Sequence, residues 1–350
     1  MKKPNIMIAG GFWHGSLEGS YFRAFENIGC QVEAFDVPEA ISKYTKIGKI
    51  GQLFSTYLPI EAWINKANRE FVVKVTQSKP DILIVGGASQ IRVGALAQMK
   101  ASVANLKIVL IWPDPMLRVH AHVINCLPIY DLIATYSNNT VNVFKILGAK
   151  TVEWVPFAAD TFLHPANIEI SDAQRIKFSC DICFIGNHRP EREKIFNQLY
   201  SKGYDVKVWG PTDWKRHATN YSMVQNYWQK QSLYGDDFAR VIRCSKLSIN
   251  PIDPTNLPSA NMRFFEIPCA GGLQVCSPCP EMETAFKDGE AVFYYKTLED
   301  LPRIIDTLLR DDTLRNKVAQ YARKIVQRDH TYVHRAHHIF ELLKLGCLCP

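Results

Sequence analysis

The sequence predicts an α/β protein of two halves, each a parallel sheet covered by helices, and three observations carry that expectation. Short apolar, strand-like runs alternate with amphipathic helical stretches along nearly the whole chain, which is how sheets with helical crossovers read. The alternation breaks once, at the proline-bracketed run Val155-Pro-Phe-Ala-Ala-Asp160-Thr-Phe-Leu-His-Pro165 and the polar residues 166–179, and then resumes. At roughly 150 residues per domain, a chain of 350 residues suits two cores better than one.

In the first half, 1–160, a strand at 5–9 turns through Gly10-Gly11 into a helix entered near Ser20, with Phe22, Phe25 and Ile28 on one face. Gly29 stops that helix. A strand at 31–35, a basic helical region and strands at 81–85, 107–111, 131–135 and 151–155 complete one open α/β series. The second half, 161–329, begins with a strand at 181–185 and a helix at 191–200 that turns Ile195, Phe196 and Leu199 inward and ends at Gly203. Strands follow at 204–209, 246–250, 273–276 and 291–295, with helices at 236–244 and from Ser259 to Ala270-Gly271-Gly272. Leu301, Ile304, Ile305 and Leu308, then Leu314, Val318, Tyr321 and Ile325, keep helical spacing. No short-period repeat or low-complexity tract interrupts the series.

Apolar residues make up 47% and charged residues 21% of the chain, which excludes a disordered, collagenous or rod-like protein. The net charge of +7 is unevenly placed. Lys43, Lys46, Lys49, Lys66, Arg69, Lys74 and Lys79 meet only Glu61 and Glu70 within 41–79, and 313–350 is similarly basic from Arg315 to Lys344. Two basic patches on a near-neutral body suit an anionic ligand or surface, or two solvated helix faces, rather than a wholesale nucleic-acid binder. Around the first patch, Ile47, Ile50, Leu53, Phe54, Tyr57 and Leu58 interleave with the lysines, so contact with an anionic membrane surface is an expectation. The Ile6-Met7-Ile8-Ala9 run is too short for a secretory core, and no run reaches the ~18 apolar residues of a membrane span. A cytoplasmic protein is expected, peripheral to the inner membrane face if that patch binds lipid. Its ten cysteines then read as reduced, small apolar residues. Cys180-x-x-Cys183 falls on a strand, where positions three apart face opposite ways, so neither it nor Cys276-x-x-Cys279 is expected to hold a metal.

Candidate chemistry in the first half gathers behind its strands. Gly10-Gly11-Phe12-Trp13-His14-Gly15 is a glycine turn, but its spacing is not G-x-G-x-x-G. Asp36 stands where a dinucleotide-binding protein places its ribose acid, and without the fingerprint a dehydrogenase does not follow. His14 lies at the carboxyl end of a strand, where open α/β sheets place ligands, and its ordinary pKa suits proton abstraction from a hydroxyl. In Trp112-Pro113-Asp114-Pro115, two prolines stiffen the backbone around Asp114 on the same rim; it orients His14, serves as a base itself, or caps the following helix.

The most specific passage is Asn250-Pro-Ile-Asp-Pro254-Thr-Asn-Leu-Pro258-Ser259-Ala-Asn-Met-Arg263-Phe-Phe-Glu266. Ser259 reads as the N-cap of a helix whose start at Ser259, Ala260 and Asn261 offers free N–H groups to an anion. Arg263 and Glu266 share a face, suited to a diphosphate and to ribose hydroxyls, or to pairing with each other. Gly186-Asn187-His188-Arg189-Pro190-Glu191-Arg192 repeats the phosphate logic at the first strand-to-helix turn of this half, with Gly186, Asn187, Arg189 and Arg192 as candidate ligands.

Taken together, these residues resemble the two-Rossmann-domain (GT-B) glycosyltransferases, and within them the CgeB-type branch of the glycosyltransferase family 1-like proteins. The matching pieces are Tyr21-Phe-Arg-Ala-Phe25, Val155-Pro-Phe-Ala-Ala-Asp160, Phe184-Ile-Gly-Asn with Arg192, Arg263-x-Phe-Glu266 with Ala270-Gly-Gly272, and His330-Thr-Tyr-Val-His-Arg335. The resemblance implies two Rossmann-like domains facing a central cleft, an acceptor domain at 1–160, a nucleotide-sugar domain at 161–329, and a C-terminal helix at 330–350 crossing back to the first domain. It also implies a sugar moved from a nucleotide-diphosphate donor to a hydroxyl of a surface polysaccharide, glycoprotein or lipid-linked acceptor. Glu266 carries over as the ribose-binding acid. Pro258 stands where many retaining members have an acid, which leaves the stereochemistry open. No D-x-D motif appears, and the expected reaction uses no metal and no cofactor besides the donor. The alternatives are a nucleotide-sugar epimerase, a non-catalytic nucleotide-sugar-binding protein and, further off, a glycosyltransferase acting on nucleic acid.

Overall fold

The computed structural model describes residues 3–44, 60–87 and 89–344. The chain divides into two units, 1–156 with 332–350, and 157–331. Unit 1 is a six-stranded sheet of β1 (Asn5–Gly10), β2 (Gln31–Asp36), β3 (Ile82–Gly86), β4 (Lys107–Trp112), β5 (Leu132–Thr135) and β6 (Val152–Trp154). All its pairings are parallel, in the order β2-β1-β3-β4-β5-β6. Helices α1 (Leu17–Ile28), α2 (Val37–Ser42), α3 (Glu61–Ser78), α4 (Val93–Ser102), α5 (Ala121–Cys126) and α6 (Asn138–Ile146) connect the strands. Every residue of β3 is buried, as expected of a strand covered on both faces. Gly29 ends α1 in the left-handed region at φ +90°, where a side chain would be strained. The helix starts at Leu17, earlier than the sequence suggests, because the Ser16 hydroxyl takes the Gly19 N–H at 3.1 Å.

Unit 2 holds β7 (Cys180–Ile185), β8 (Val206–Trp209), β9 (Ser245–Asn250), β10 (Gln274–Cys276) and β11 (Phe293–Tyr294), all parallel in the order β11-β10-β9-β7-β8. Its helices are α7 (Asp172–Phe178), α8 (Pro190–Ser201), α9 (Asp213–Arg216), α10 (Tyr221–Tyr227), α11 (Gly235–Cys244), α12 (Arg263–Cys269), α13 (Asp300–Arg310) and α14 (Asp312–Asp329). Four of these depart from the sequence reading. The polar stretch after Pro165 contains α7, which a reciprocal Ser171–Gln174 capping box secures. Residues 210–228 contain α9 and α10, too short for a helical period to show. The helix expected from Ser259 begins at Arg263: Ser259 N–H bonds back to Asn256, and Asn261 Oδ1, not the serine, takes an N–H of the new helix, that of Phe264 at 3.0 Å.

The last helix, α15 (Tyr332–Leu342), belongs to unit 1. It packs on α1 through Tyr21–Tyr332 and Phe25–Phe340, with ring centres 5.1 Å and 5.4 Å apart, and Arg335 Nε donates to the Pro156 carbonyl at 2.8 Å.

Of the first basic patch, Lys46, Lys49 and the apolar residues from Ile47 to Leu58 lie outside the described residues. Lys43 pairs with Glu70 at 3.6 Å and Lys74 donates to the Ala34 carbonyl at 2.8 Å. No described helix is long and apolar enough to cross a membrane. Cys180 and Cys183 each meet a serine of β9, Ser245 at 3.2 Å and Ser248 at 3.1 Å, and burial pushes both thiols up.

Phe196 is fully buried among Phe184, Trp214 and Tyr227. Phe196→Ala is expected to cost about 3–5 kcal/mol in urea unfolding of the full chain. A loss below about 1 kcal/mol would mean that this cluster does not hold unit 2 together.

Candidate functional site

In unit 2 the chain leaves β7 for β8 on one side and returns to β9 on the other, so the carboxyl ends of β7 and β9 flank a topological switch point, where open α/β sheets bind ligands. Three arginines gather there. Arg263, in the first turn of α12, donates through Nε to the Ile185 carbonyl at 3.1 Å and through Nη1 to Glu266, and its guanidinium lies 4.6 Å from the centre of the Phe238 ring. Arg189 donates through Nε to Asp253 at 3.1 Å and through Nη1 to the His188 carbonyl at 3.4 Å. Arg192 reaches the carbonyls of Asn187 at 2.9 Å and Pro251 at 3.4 Å, with its guanidinium 5.3 Å from the Phe184 ring centre. Burial, with Arg189 nearby, lowers Arg192 to about 10, so it stays charged at neutral pH. Among the described residues nothing takes a hydrogen bond from Nη2 of Arg263 or Arg189.

Backbone donors join them. Gly186 is half-buried at the end of β7, Asn187 is exposed, and Arg189 is the N-cap of α8 without a side-chain cap, which leaves its first-turn N–H groups to a ligand or water. The turn is fixed from behind. Trp214 Nε1 donates to the Gly186 carbonyl at 2.9 Å, and the buried ring of His188 meets Glu193 Oε2 at 2.8 Å. Glu193 also accepts the Thr219 N–H at 2.9 Å, the Thr219 hydroxyl at 2.6 Å and the Asn220 N–H at 2.8 Å. Burial alone would raise this carboxyl; the hydrogen bonds from Thr219, His188 and Asn220 outweigh it and bring it from 4.5 to about 2.

The remaining predicted donor residues are placed otherwise. Ser259 and Ala260 are buried, and Asn261 is taken up in a side-chain network with Asn250 at 2.9 Å, which Asn250 extends to Gln274 at 3.1 Å. They do not form a helix start, so the free N–H groups expected of them belong instead to α8. Glu266 is buried against Arg263, the pairing that the spacing left open. The sequence reading overlooked Asp253, Glu193 and Trp214; only Asp253, in the Asp-Pro turn of the quoted passage, carried a local signal.

Unit 1 has its own switch point between β1 and β3. His14 is exposed in the turn from Trp13 to Ser16, which Gly15 closes at φ +90°. Asp114 follows β4 and accepts from Arg118 at 2.9 Å, so its carboxylate is engaged in an ion pair rather than in a helix cap. Asp36 works on backbone, accepting from Phe12 at 3.2 Å and Glu39 at 2.9 Å. Glu18, in the first turn of α1, stands where β1 and β3 end: a Cβ at Gly10 would lie 2.5 Å from its Cγ, and one at Gly86 3.0 Å from its Cδ.

Residues 189–341 match the family described as glycosyl transferase-like. Among solved structures, a sucrose-phosphate synthase from Thermosynechococcus elongatus is 9% identical over 97% of this chain and 98% of its own, with a TM-score of 0.67. A glycosyltransferase from Rickettsia africae is 13% identical over 99% and 100%, with a TM-score of 0.67. Anabaena HepE in complex with UDP is 13% identical over 98% and 100%, with a TM-score of 0.61. The chain therefore has the GT-B fold, with two Rossmann-like units. No curated protein matches it in sequence.

The depressed carboxyl of Glu193 stabilises the fold fully above its unfolded pKa of 4.5, and that contribution is lost as pH falls toward 2. Glu193→Gln should flatten the pH dependence of urea stability across this window; parallel profiles for variant and wild type would show that the carboxylate has no such linkage.

Proposed function

We infer that the chain is a glycosyltransferase that binds a nucleotide-diphosphate sugar at the β7–β9 switch point and transfers the sugar to a hydroxyl. The observation that carries this is the set of three guanidinium groups around the uncapped start of α8, two of them keeping an Nη2 without a described partner. Support comes from the family match, which spans Arg189, Arg192, Arg263 and Glu266, and from HepE structures with UDP and with UDP-glucose.

Negative charge develops on the diphosphate as the sugar departs, and Arg189, Arg263 and the N–H groups of α8 meet it with fixed positive ends. Because Ile185, Glu266 and Phe238 hold Arg263 beforehand, little reorganisation is needed at that moment. Glu266 Oε2 fixes the arginine, and Oε1 is assigned to a ribose hydroxyl. The donor serves as co-substrate, and no metal or other cofactor is assigned. The acceptor is proposed to be a surface polysaccharide, a glycoprotein or a lipid-linked acceptor, and the quoted motifs favour the CgeB-type branch. The described cysteines are free and all but Cys244 are buried, which suits a reducing cytoplasm.

In a thermal-shift screen of UDP, GDP, dTDP and CMP with their sugars, one nucleotide should raise the melting temperature; at 100 times its Kd a ligand adds about 2.7 kcal/mol. Arg189→Ala and Arg263→Ala should each weaken that nucleotide about tenfold or more, near 1.4 kcal/mol. Unchanged affinity in both variants would sink the site.

A further inference from the structure

We propose that Asp253 selects the donor by the charge of its sugar, admitting a neutral sugar and turning away one that carries a carboxylate; this rests on the glycosyltransferase reading above. The first support is the half-filled edge of Arg189. Nε–H and the neighbouring Nη2–H of a guanidinium point the same way, and a carboxylate commonly meets the two with both its oxygens. Asp253 meets only Nε, through Oδ2 at 3.1 Å, because Oδ1 is taken by the Thr255 N–H at 3.0 Å and the Thr255 hydroxyl at 2.8 Å. Nη2 is thereby left to a second anion, and an anion that fills it lies beside the Asp253 carboxylate.

The second support is the end of the donor that Asp253 faces. Glu266, assigned to the ribose, is bound to Arg263, so the phosphate next to the ribose falls to Arg263 and the phosphate that bears the sugar falls to Arg189. Asp253 stands on the Arg189 side, in the loop that leaves β9, and 18% of its side chain is exposed. Among the described residues Oδ2 accepts from Arg189 alone, which leaves it room for a sugar hydroxyl. Burial by itself would raise this carboxyl, but the hydrogen bonds of Thr255 and then of Arg189 outweigh it and hold it below the usual range, so it is ionised at neutral pH.

The third support is the cost of the arrangement. A negative charge among Arg189, Arg192 and Arg263 weakens their hold on any diphosphate. Fixing an arginine does not require it, since the carbonyls of Ile185 and His188 hold Arg263 and Arg189 here without a charge. What the charge adds is a difference between donors. The hydroxymethyl group of a neutral hexose can donate to Oδ2, whereas a carboxylate in the same place has no proton to give and is repelled. In a half-buried crevice that difference amounts to roughly tenfold or more in affinity.

The test uses the full-length chain and pairs of donors that differ only in that group: UDP-glucose with UDP-glucuronate, GDP-mannose with GDP-mannuronate, and dTDP-glucose with dTDP-glucuronate. Dissociation constants are measured by calorimetry for the pair whose nucleotide binds, on the wild type, Asp253→Asn and Asp253→Ala, with urea midpoints to show which variants are folded. The wild type should bind the neutral member about tenfold or more tightly than the acidic one, and each folded variant should narrow that ratio about fivefold or more. A smaller wild-type ratio overturns the proposal. So does a ratio that the variants leave in place while both donors weaken together, the result expected if Asp253 only orients Arg189. A wild type that binds none of the three nucleotides overturns the donor-site reading, and this proposal with it.

Discussion

A parallel β–α–β connection is right-handed, and that constraint sets where chemistry occurs in this molecule. A chain that lays its second strand on one side of the first and its third on the other must send successive helices to opposite faces, and a crevice opens where they part. Both units do this, β1 between β2 and β3, and β7 between β8 and β9. The strands that meet there are among the most buried segments of the chain, so nothing at their carboxyl ends is left to chance. A group placed there is surrounded on several sides by backbone, and it is either paired, as Arg263 is with the Ile185 carbonyl and Glu266, or held against burial, as Glu18 is.

The two crevices solve the problem of buried charge in opposite ways. In unit 2 each arginine is partly satisfied, by Asp253, by Glu266 or by carbonyls, and Phe238 and Phe184 offer ring faces to two of them. Positive charge is thereby kept fixed yet short of partners, which is the condition for holding a diphosphate. The turn that carries two of the arginines is in turn anchored by Glu193, whose hydrogen bonds hold His188 on one side and Thr219 with Asn220 on the other. In unit 1 the Glu18 carboxyl has backbone donors only, with the Asp36 carboxylate nearby, and a side chain at Gly10 or Gly86 would meet it.

Most of the fold was legible in the sequence because parallel strands covered on both faces are short apolar runs, and all eleven were marked by composition alone. Helices were legible where they were long. The short α9 and α10 gave no period, and α7 lay in a stretch whose polarity suggested a linker. The site was legible in part, since Gly186, Arg189, Arg192, Arg263 and Glu266 sit beside strand ends that composition reveals. Ser259 was misread because serine after proline is a strong local signal for a cap, while the cap that formed depends on Asn261 meeting Asn250, a contact between segments eleven residues apart. Glu18 was invisible for the same kind of reason. An acid in the first turn of a helix is common, and only the approach of β3, far along the chain, gives it a cradle.

The charge surplus illustrates what separates a structural cation from a functional one. Lys43, Lys74, Arg315, Arg328 and Arg335, all from the basic stretches or their flanks, spend hydrogen bonds or ion pairs on nearby carboxylates and carbonyls. The exposed ion pairs among them, Lys43 with Glu70 and Arg328 with Asp329, contribute little, since exposed pairs in general are worth roughly 0–1 kcal/mol each. All five cations attract a ligand weakly because the charge is already answered. Arg189 and Arg263 lie in stretches with no marked surplus, yet each keeps an Nη2 without a described partner at a point where the sheet leaves room. Local excess of lysine and arginine therefore locates a surface. Unspent donor capacity at a strand crossover marks the proposed donor site, and in this chain the two fall in different places.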